Sequence, residues 1–329
     1  MRQPPPARSI LPRRPPNTAN SERNFPANPA ILPSMSADGF ANGPPPGARA
    51  DWTIDQGWAG YSQAEHQVWI TLYERQAAML EGRACDPFLK GLEALDLHRA
   101  GIPDFVRINA ELKKLTGWEV VAVPGLVPDE VFFNHLASRR FPAGQFIRKP
   151  DELDYLQEPD IFHDVFGHVP MLTDPVFADY MQEYGKGGLR AMQRGQLANL
   201  ARLYWYTVEF GLMLEGNQVR AYGAGILSGP TEAVFAVEAA SPNRIMLNVD
   251  RVMRTDYVID DLQPTYFVIE SFKDLYHQTV ERDFDRLYRS LGPGFTYANT
   301  ALIDVDNVVS RGSLEYHLRG GRGSGALAV

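Results

Sequence analysis

His163 and His168 lie five residues apart in Glu158-Pro159-Asp160-Ile161-Phe162-His163-Asp164-Val165-Phe166-Gly167-His168-Val169-Pro170, and the chain has only seven histidines. Forty-one residues after His168, Glu209 interrupts the apolar stretch Leu203-Tyr204-Trp205-Tyr206-Thr207-Val208-Glu209-Phe210-Gly211-Leu212. Two imidazoles and one carboxylate can hold one face of an octahedral metal and leave the opposite positions open. That is the donor set of non-haem Fe(II) oxygenases. The stretch around Glu209 is apolar on nearly every side, so the carboxylate reads as buried, and an ionised buried carboxylate is costly unless paired or metal-bound. Two other readings fit the same residues: satisfied core histidines, and a salt bridge from Glu209 to Arg202 or Arg148. A zinc hydrolase is a third, but it calls for His-Glu-x-x-His with histidines four apart. Here the spacing is five, and Asp164 follows His163.

The elements carrying these residues are harder to satisfy. On an ideal helix a spacing of five turns the second side chain about 140° from the first. Convergence of the two imidazoles therefore needs a helix end or a local distortion, and Gly167 with the Val169-Pro170 exit supplies one. Most other signals along the chain are helical. Ser62-Gln63-Ala64-Glu65 has capping-box spacing and opens an apolar-periodic helix ending near Gly82. Asp86-Pro87 pairs a capping residue with a proline suited to a first turn. Phe105 to Leu115 predicts a helix stopped by Gly117, and Pro128-Asp129 starts one through Arg140. Further helices are expected at 175–184, 197–215, 230–240 and 271–290. Extended segments are expected at Trp118 to Val123, 218–222 and 265–269. Gly185-Lys186-Gly187-Gly188 lacks the phosphate-loop spacing and reads as a turn. The fold class is mainly α with a few short β-strands, in one catalytic domain over 51–315.

Composition narrows the class. The chain is 329 residues, 44% hydrophobic and 22% charged, with net charge −8. That is ordinary globular composition without the basic excess of a nucleic-acid binder. No apolar run reaches the length of a membrane span. The single cysteine, Cys85, rules out an intrachain disulfide and suits a reducing, cytoplasmic setting. Residues 1–50 hold 12 of the 25 prolines and little to bury, so a disordered extension is expected there. Residues 316–329, rich in glycine near Arg319-Gly320-Gly321, read as a flexible tail.

Beyond single residues, three ordered motifs match a family. The histidine run with its Glu158-Pro159-Asp160 prefix resembles the signature of the tetrahydropterin-dependent aromatic amino acid hydroxylases. So do Tyr204-Trp205-Tyr206-Thr207-Val208-Glu209-Phe210-Gly211-Leu212 and Ala221-Tyr222-Gly223-Ala224-Gly225-Ile226-Leu227-Ser228. The likeness covers residues 52–290. Pro124-Gly125-Leu126-Val127-Pro128 and Leu153-Asp154-Tyr155-Leu156-Gln157-Glu158-Pro159-Asp160 are most similar to bacterial members that act on phenylalanine.

The resemblance implies conversion of L-phenylalanine to L-tyrosine with O2 and a tetrahydropterin at a mononuclear Fe(II) centre, with His163, His168 and Glu209 as ligands. It implies that Arg148 clamps the substrate carboxylate, a task suited to its planar fork, and that Asp160 orients Arg148. It places Tyr155, Trp205 and Ser228 along the amino acid site. The pterin would stack on Phe132 and bond the backbone at Gly125, Leu126 and Val127, with Asp164 close by. Glu158 and Glu232 match acidic positions at the site, and Tyr204 a tyrosine near the iron. Each has a plainer reading: an exposed ion pair of Arg148 with Asp151 or Glu152, core aromatics at Phe132 and Trp205, a helix cap at Ser228, a first-turn carboxylate at Glu232. Another aromatic amino acid, tryptophan above all, is the alternative substrate. Leu156 departs from the threonine of the animal enzymes. With no regulatory domain read before residue 52 and no heptad helix after 290, a monomer is expected.

Overall fold

The computed structural model describes residues 43–97, 101–154, 158–291 and 294–321. The capping box at Ser62 forms as expected: Ser62 Oγ accepts the Glu65 N–H, and Glu65 returns its carboxylate to the Ser62 N–H, starting α1 (Gln63–Leu80). α2 (Asp86–Ala94) follows, but Asp86 is its first helical residue and Cys85 its N-cap. The orphan N–H of Asp86 is met instead by the Glu215 carboxylate from a distant strand, at 2.7 Å, which no local pattern encodes. α3 (Phe105–Leu115) has the expected bounds, and its cap is Asp104.

β1 (Glu119–Val123) lies parallel to β2 (Arg140–Gly144), joined by α4 (Asp129–Ala137). The expected helix through Arg140 ends at Ala137, because Arg139 takes a left-handed conformation (φ 55°) and Arg140 begins β2. α5 (Pro175–Gln193) is twice the expected length and absorbs Gly185-Lys186-Gly187-Gly188, so that segment is helix and not a turn. The glycines serve packing. A Cβ at Gly188 would lie 2.1 Å from the Phe133 ring, so only glycine lets α4 lie this close to α5.

The stretch expected as one helix over 197–215 divides into α6 (Leu197–Tyr204), a π-helical turn over Trp205–Glu209, and β3 (Leu212–Glu215). Over 203–209 every side chain is buried, and a mostly apolar run buried on all faces carries no period to separate these states. β3 forms a hairpin with β4 (Gln218–Ala221). Then come α7 (Ala224–Ser228), α8 (Pro230–Glu238), β5 (Asn243–Met246), α9 (Val249–Val252) and β6 (Thr265–Ile269). Instead of one helix over 271–290 there are two, α10 (Phe272–Thr279) and α11 (Phe284–Leu291), and β7 (Val308–Ser310) and α12 (Glu315–Leu318) follow. The larger sheet has order β4-β3-β6-β5-β7, with mixed parallel and antiparallel pairing. Three of its strands, β3, β5 and β7, along with β2, were invisible to alternation because they are short or buried on both faces.

Within 43–50, the Ala48 N–H bonds Pro45 O and the Arg49 N–H bonds Thr53 O. Near the other end Tyr316 is buried against Phe235 and donates its hydroxyl to Asp261. No helix among the described residues is long and apolar enough to cross a membrane.

Candidate metal centre

The five-residue spacing is resolved by the backbone. Phe162–His168 is a π-helical turn. Its i→i+5 pattern brings residues five apart to one side, where an α-helix would splay them. A second π-turn, closed by the Phe210 N–H on Trp205 O at 2.8 Å, delivers Glu209. The two turns face each other. His163 Nε2 and His168 Nε2 are 3.3 Å apart, and they lie 3.6 Å and 3.2 Å from the Glu209 carboxylate oxygens Oε2 and Oε1. Among the described residues this is the one cluster of three or more His, Cys, Asp or Glu side chains with metal-binding spacing.

The apolar side of the histidine turn anchors it. Phe162 and Phe166 stack at 4.7 Å; Trp69 from α1 meets Phe162 edge-on, and Phe88 from α2 meets Phe166 likewise. Burying each such side chain contributes about 1.5–3 kcal/mol. The polar side is held by α7, which lies between the turns. Ala224 packs on Gly167, where a Cβ would meet the Ala224 carbonyl at 3.0 Å. The Gly225 main-chain amide helps to keep the Glu209 carboxylate ionised. Ser228 Oγ donates to Ala224 O and takes the proton of His163 Nδ1 at 2.8 Å. That bond fixes the tautomer with the Nε2 lone pair directed at Glu209, the usual way a neighbour orients a ligating imidazole.

The electrostatics suit a cation. Burial pushes the His163 imidazole down to about 4, so it is neutral and able to ligate at physiological pH. Burial also works against the Glu209 carboxylate, but the two histidines overcome it and hold the group below the usual carboxylate range. Oε1 of Glu209 is buried without a hydrogen-bond partner. An orphaned anionic oxygen facing two imidazole nitrogens lacks a positive centre, and a divalent metal supplies one. Glu209 does not pair with Arg202 or Arg148: Arg202 reaches Asp256, and Arg148 reaches Asp160.

Arg148 is buried rather than paired with Asp151 or Glu152. Its Nε and Nη2 meet the two Asp160 oxygens at 2.8 and 2.9 Å. Asp160 also accepts the main-chain N–H groups of Arg148 and His163, so this carboxylate has four donors. Burial would raise its pKa, but the Arg148 bonds and charge prevail and keep it low. Arg148 Nη1 has only a 3.4 Å approach to Leu153 O, which leaves donor capacity facing outward.

Beside the histidines, a pocket is lined by Gly125, Leu126, Val127, Phe132, Asp164 and Tyr204. The five residues expected around the pterin thus surround one cavity that also touches His163 and His168. Burial pushes the Asp164 carboxyl up to about 7, against the Gly144 N–H that it accepts at 2.7 Å. Tyr204 lies over His168 and edge-on to Phe132.

Trp205 stacks on Tyr257 at 4.5 Å, and its indole N–H bonds Gln263 Oε1. Glu232 is buried in the first turn of α8 and accepts the Tyr266 hydroxyl. Glu158 is apart from these: it is exposed, next to Pro159 on the pocket rim. Tyr155 and the Leu156 departure lie outside the described residues. His66, His135, His277 and His317 have the structural partners Ile102 N, Asp51 O, Glu281 and Leu262 O. Sequence reasoning missed Phe141, whose ring lies 4.9 Å from His168, and Gln263. Neither sits in a pattern that periodicity would single out.

The sequence matches the biopterin-dependent aromatic amino acid hydroxylase family over residues 57–302. A phenylalanine-4-hydroxylase of Caulobacter vibrioides is 67% identical over 89% of this chain and 100% of its own length. One of Ralstonia nicotianae is 57% identical over 81% and 85%. The iron- and phenylalanine-bound crystal structure of phenylalanine hydroxylase from Chromobacterium violaceum superposes with a TM-score of 0.76 at 50% identity, covering 79% of this chain and 95% of that one. The cobalt-bound structure of that enzyme gives 0.77 at 51%, over 79% and 94%.

Proposed function

Because this chain belongs to the biopterin-dependent aromatic amino acid hydroxylase family, we propose that it is a phenylalanine 4-monooxygenase. It converts L-phenylalanine to L-tyrosine with O2 and a tetrahydropterin at an Fe(II) ion held by His163, His168 and Glu209. The observation that carries this reading is the convergence of two π-turns on a triad whose buried carboxylate oxygen has no protein partner. Iron and tetrahydropterin, when bound, supply the electrons and the activation of O2.

The chain supplies placement. His163, kept neutral by burial, and His168 offer their Nε2 atoms, and Ser228 holds the His163 Nδ1 proton away from the metal side. Arg148, fixed by Asp160, presents its remaining N–H groups to the substrate carboxylate. Because Asp160 also binds the His163 main chain, clamp and metal site share one support. Trp205 walls the substrate side, and the family resemblance assigns Tyr155 to the amino acid site. Gly125 to Val127, with Phe132, form a backbone-and-ring surface for a flat heterocycle. Asp164 and the aromatic lid of Tyr204 close that surface against water. Glu158 at the rim and buried Glu232 are the remaining acidic groups of the site.

Holding three reactants in register is where such a site gains most of its advantage. The reading includes a monomer in a reducing, cytoplasmic compartment, consistent with the single buried thiol of Cys85. The test is a tyrosine-formation assay with added ferrous iron and tetrahydropterin, run with phenylalanine, tyrosine and tryptophan in competition. Preference for phenylalanine with dependence on both additions is the expected result. Preference for tryptophan would move the assignment within the family, and turnover with zinc and without pterin would overturn it.

A further inference from the structure

Gln263 sits in the connection between α9 and β6, far in sequence from every motif of the site, and its side chain is fully buried. All of its amide groups are used. Oε1 accepts the Trp205 indole N–H at 3.0 Å, and Nε2 donates to Val258 O at 2.8 Å and Asp261 O at 3.2 Å. Its main-chain N–H points to Glu232 Oε1 at 3.3 Å. The amide has one workable orientation. Flipped, it would set an N–H against the indole N–H and an oxygen against two carbonyls.

The residues it joins matter more than the bonds. Val258 follows Tyr257, whose ring stacks on Trp205 with planes 20° apart. Gln263 therefore holds both layers of this stack, the indole by its edge and the tyrosine by its loop. Trp205 opens the π-turn that ends in Glu209, and its carbonyl closes that turn. Phe210 and Tyr257 pack on the indole, and Gln263 supplies the one hydrogen bond that fixes its rotation between them, while the backbone of the turn is set by its own hydrogen bond.

We propose that Gln263 is a positioning residue that fixes the Trp205 indole and thereby sets how closely the enzyme discriminates among aromatic amino acids. This rests on Trp205 being a wall of the substrate site. Gln263 does not touch the reacting atoms, so its loss acts on fit rather than on iron. An aromatic wall free to tilt misplaces the bound ring, and a displacement of about 1 Å can cost on the order of 100-fold.

The test uses the full chain loaded with iron and four variants: Gln263→Leu, Gln263→Glu, Trp205→Phe and the double variant Trp205→Phe/Gln263→Leu. Iron content, KM and kcat for phenylalanine, the phenylalanine-to-tryptophan preference, and tyrosine formed per tetrahydropterin consumed are read for each. Gln263→Leu is expected to keep its iron, raise the KM about ten-fold, narrow the preference by a similar factor and waste tetrahydropterin. Gln263→Glu, whose buried neutral carboxyl can still accept the indole N–H and donate its one O–H to Val258 O, is expected to restore most of the preference. Trp205→Phe keeps a ring but has no N–H, so adding Gln263→Leu to it should leave the preference where Trp205→Phe alone put it.

A purely structural role would lower kcat through lost active enzyme, with KM and preference unchanged in Gln263→Leu and additive losses in the double variant. That result overturns the proposal. If Gln263→Leu does not fold, Gln263→Asn, whose shorter side chain cannot reach the indole N–H, takes its place: an altered KM and preference with iron retained support the proposal, and wild-type values overturn it. If Trp205→Phe has wild-type KM and preference, the reading of Trp205 itself fails, which is a different outcome from failure at Gln263 alone.

Discussion

Two buried carboxylates lie near each other in this molecule and are treated in opposite ways. Asp160 has four donors, two of them from the Arg148 guanidinium, and every one is supplied by the protein. Glu209 has electrostatic support from the Gly225 amide, yet one of its oxygens is sealed in the interior facing imidazole nitrogens without a hydrogen bond. A satisfied carboxylate is a fixture, used to hold something else still. An unsatisfied one at the same depth is a binding position, because the missing partner must come from outside the chain. The pair thus separates the residues that position from those that coordinate, without reference to what either turns over.

The sharpest way to break this contrast is at Glu209. Glu209→Ala should abolish iron binding and lower turnover by at least about 1,000-fold while the circular dichroism of the fold stays native. Stoichiometric iron by elemental analysis in this variant would erase the distinction. The same substitution should abolish the rise in Tm that added Fe(II) or Co(II) gives the wild-type protein through ligand linkage.

Asp160→Asn attacks the other member. It leaves the buried Arg148 without its counter-charge, a loss of about 3–5 kcal/mol measurable by urea unfolding, and raises the KM for phenylalanine. Arg148→Lys should raise that KM by about 10- to 100-fold with iron content unchanged, since an ammonium cannot reproduce the fork. Ser228→Ala is milder. It frees the His163 tautomer and should weaken iron affinity about 10-fold, read by chelator competition.

The smallest effect concerns acid. The Asp160 carboxyl has its pKa lowered in the fold, so it contributes stability fully above its unfolded value near 4, and this is lost as pH falls through the lower folded value. In iron-free protein, Asp160→Asn should therefore flatten the stability curve below about pH 4. An unchanged acid limb would mean that Asp160 is no better paired than Glu209.

How much of this was readable beforehand varies by residue. The triad was legible because histidine is scarce and Glu209 stands in an apolar run. The capping box at Ser62 and the α3 helix were legible because their signals are local. The division of 197–215 was not, because its middle, 203–209, is buried on every side and has no period, and the exit at Gly211 is dictated by contact with Tyr222 at the base of the β3–β4 hairpin. The cap of α2 depends on Glu215, more than a hundred residues away. Gln263 was silent for the same reason, since its role exists only once the α9–β6 connection has folded over the Trp205 turn. The distortion demanded between His163 and His168 was legible, but its form, a π-turn with a matching one at Glu209, was not.

α7 is only five residues long, yet Ala224 sets the gap to the histidine turn, Gly225 steadies the glutamate and Ser228 aims an imidazole. It works as a gauge block between two jaws. Changing the bulk at 224 would alter the bite of the coordination sphere from a position that never meets the ion. Metal preference could therefore be retuned in this scaffold with all three donor residues left as they are.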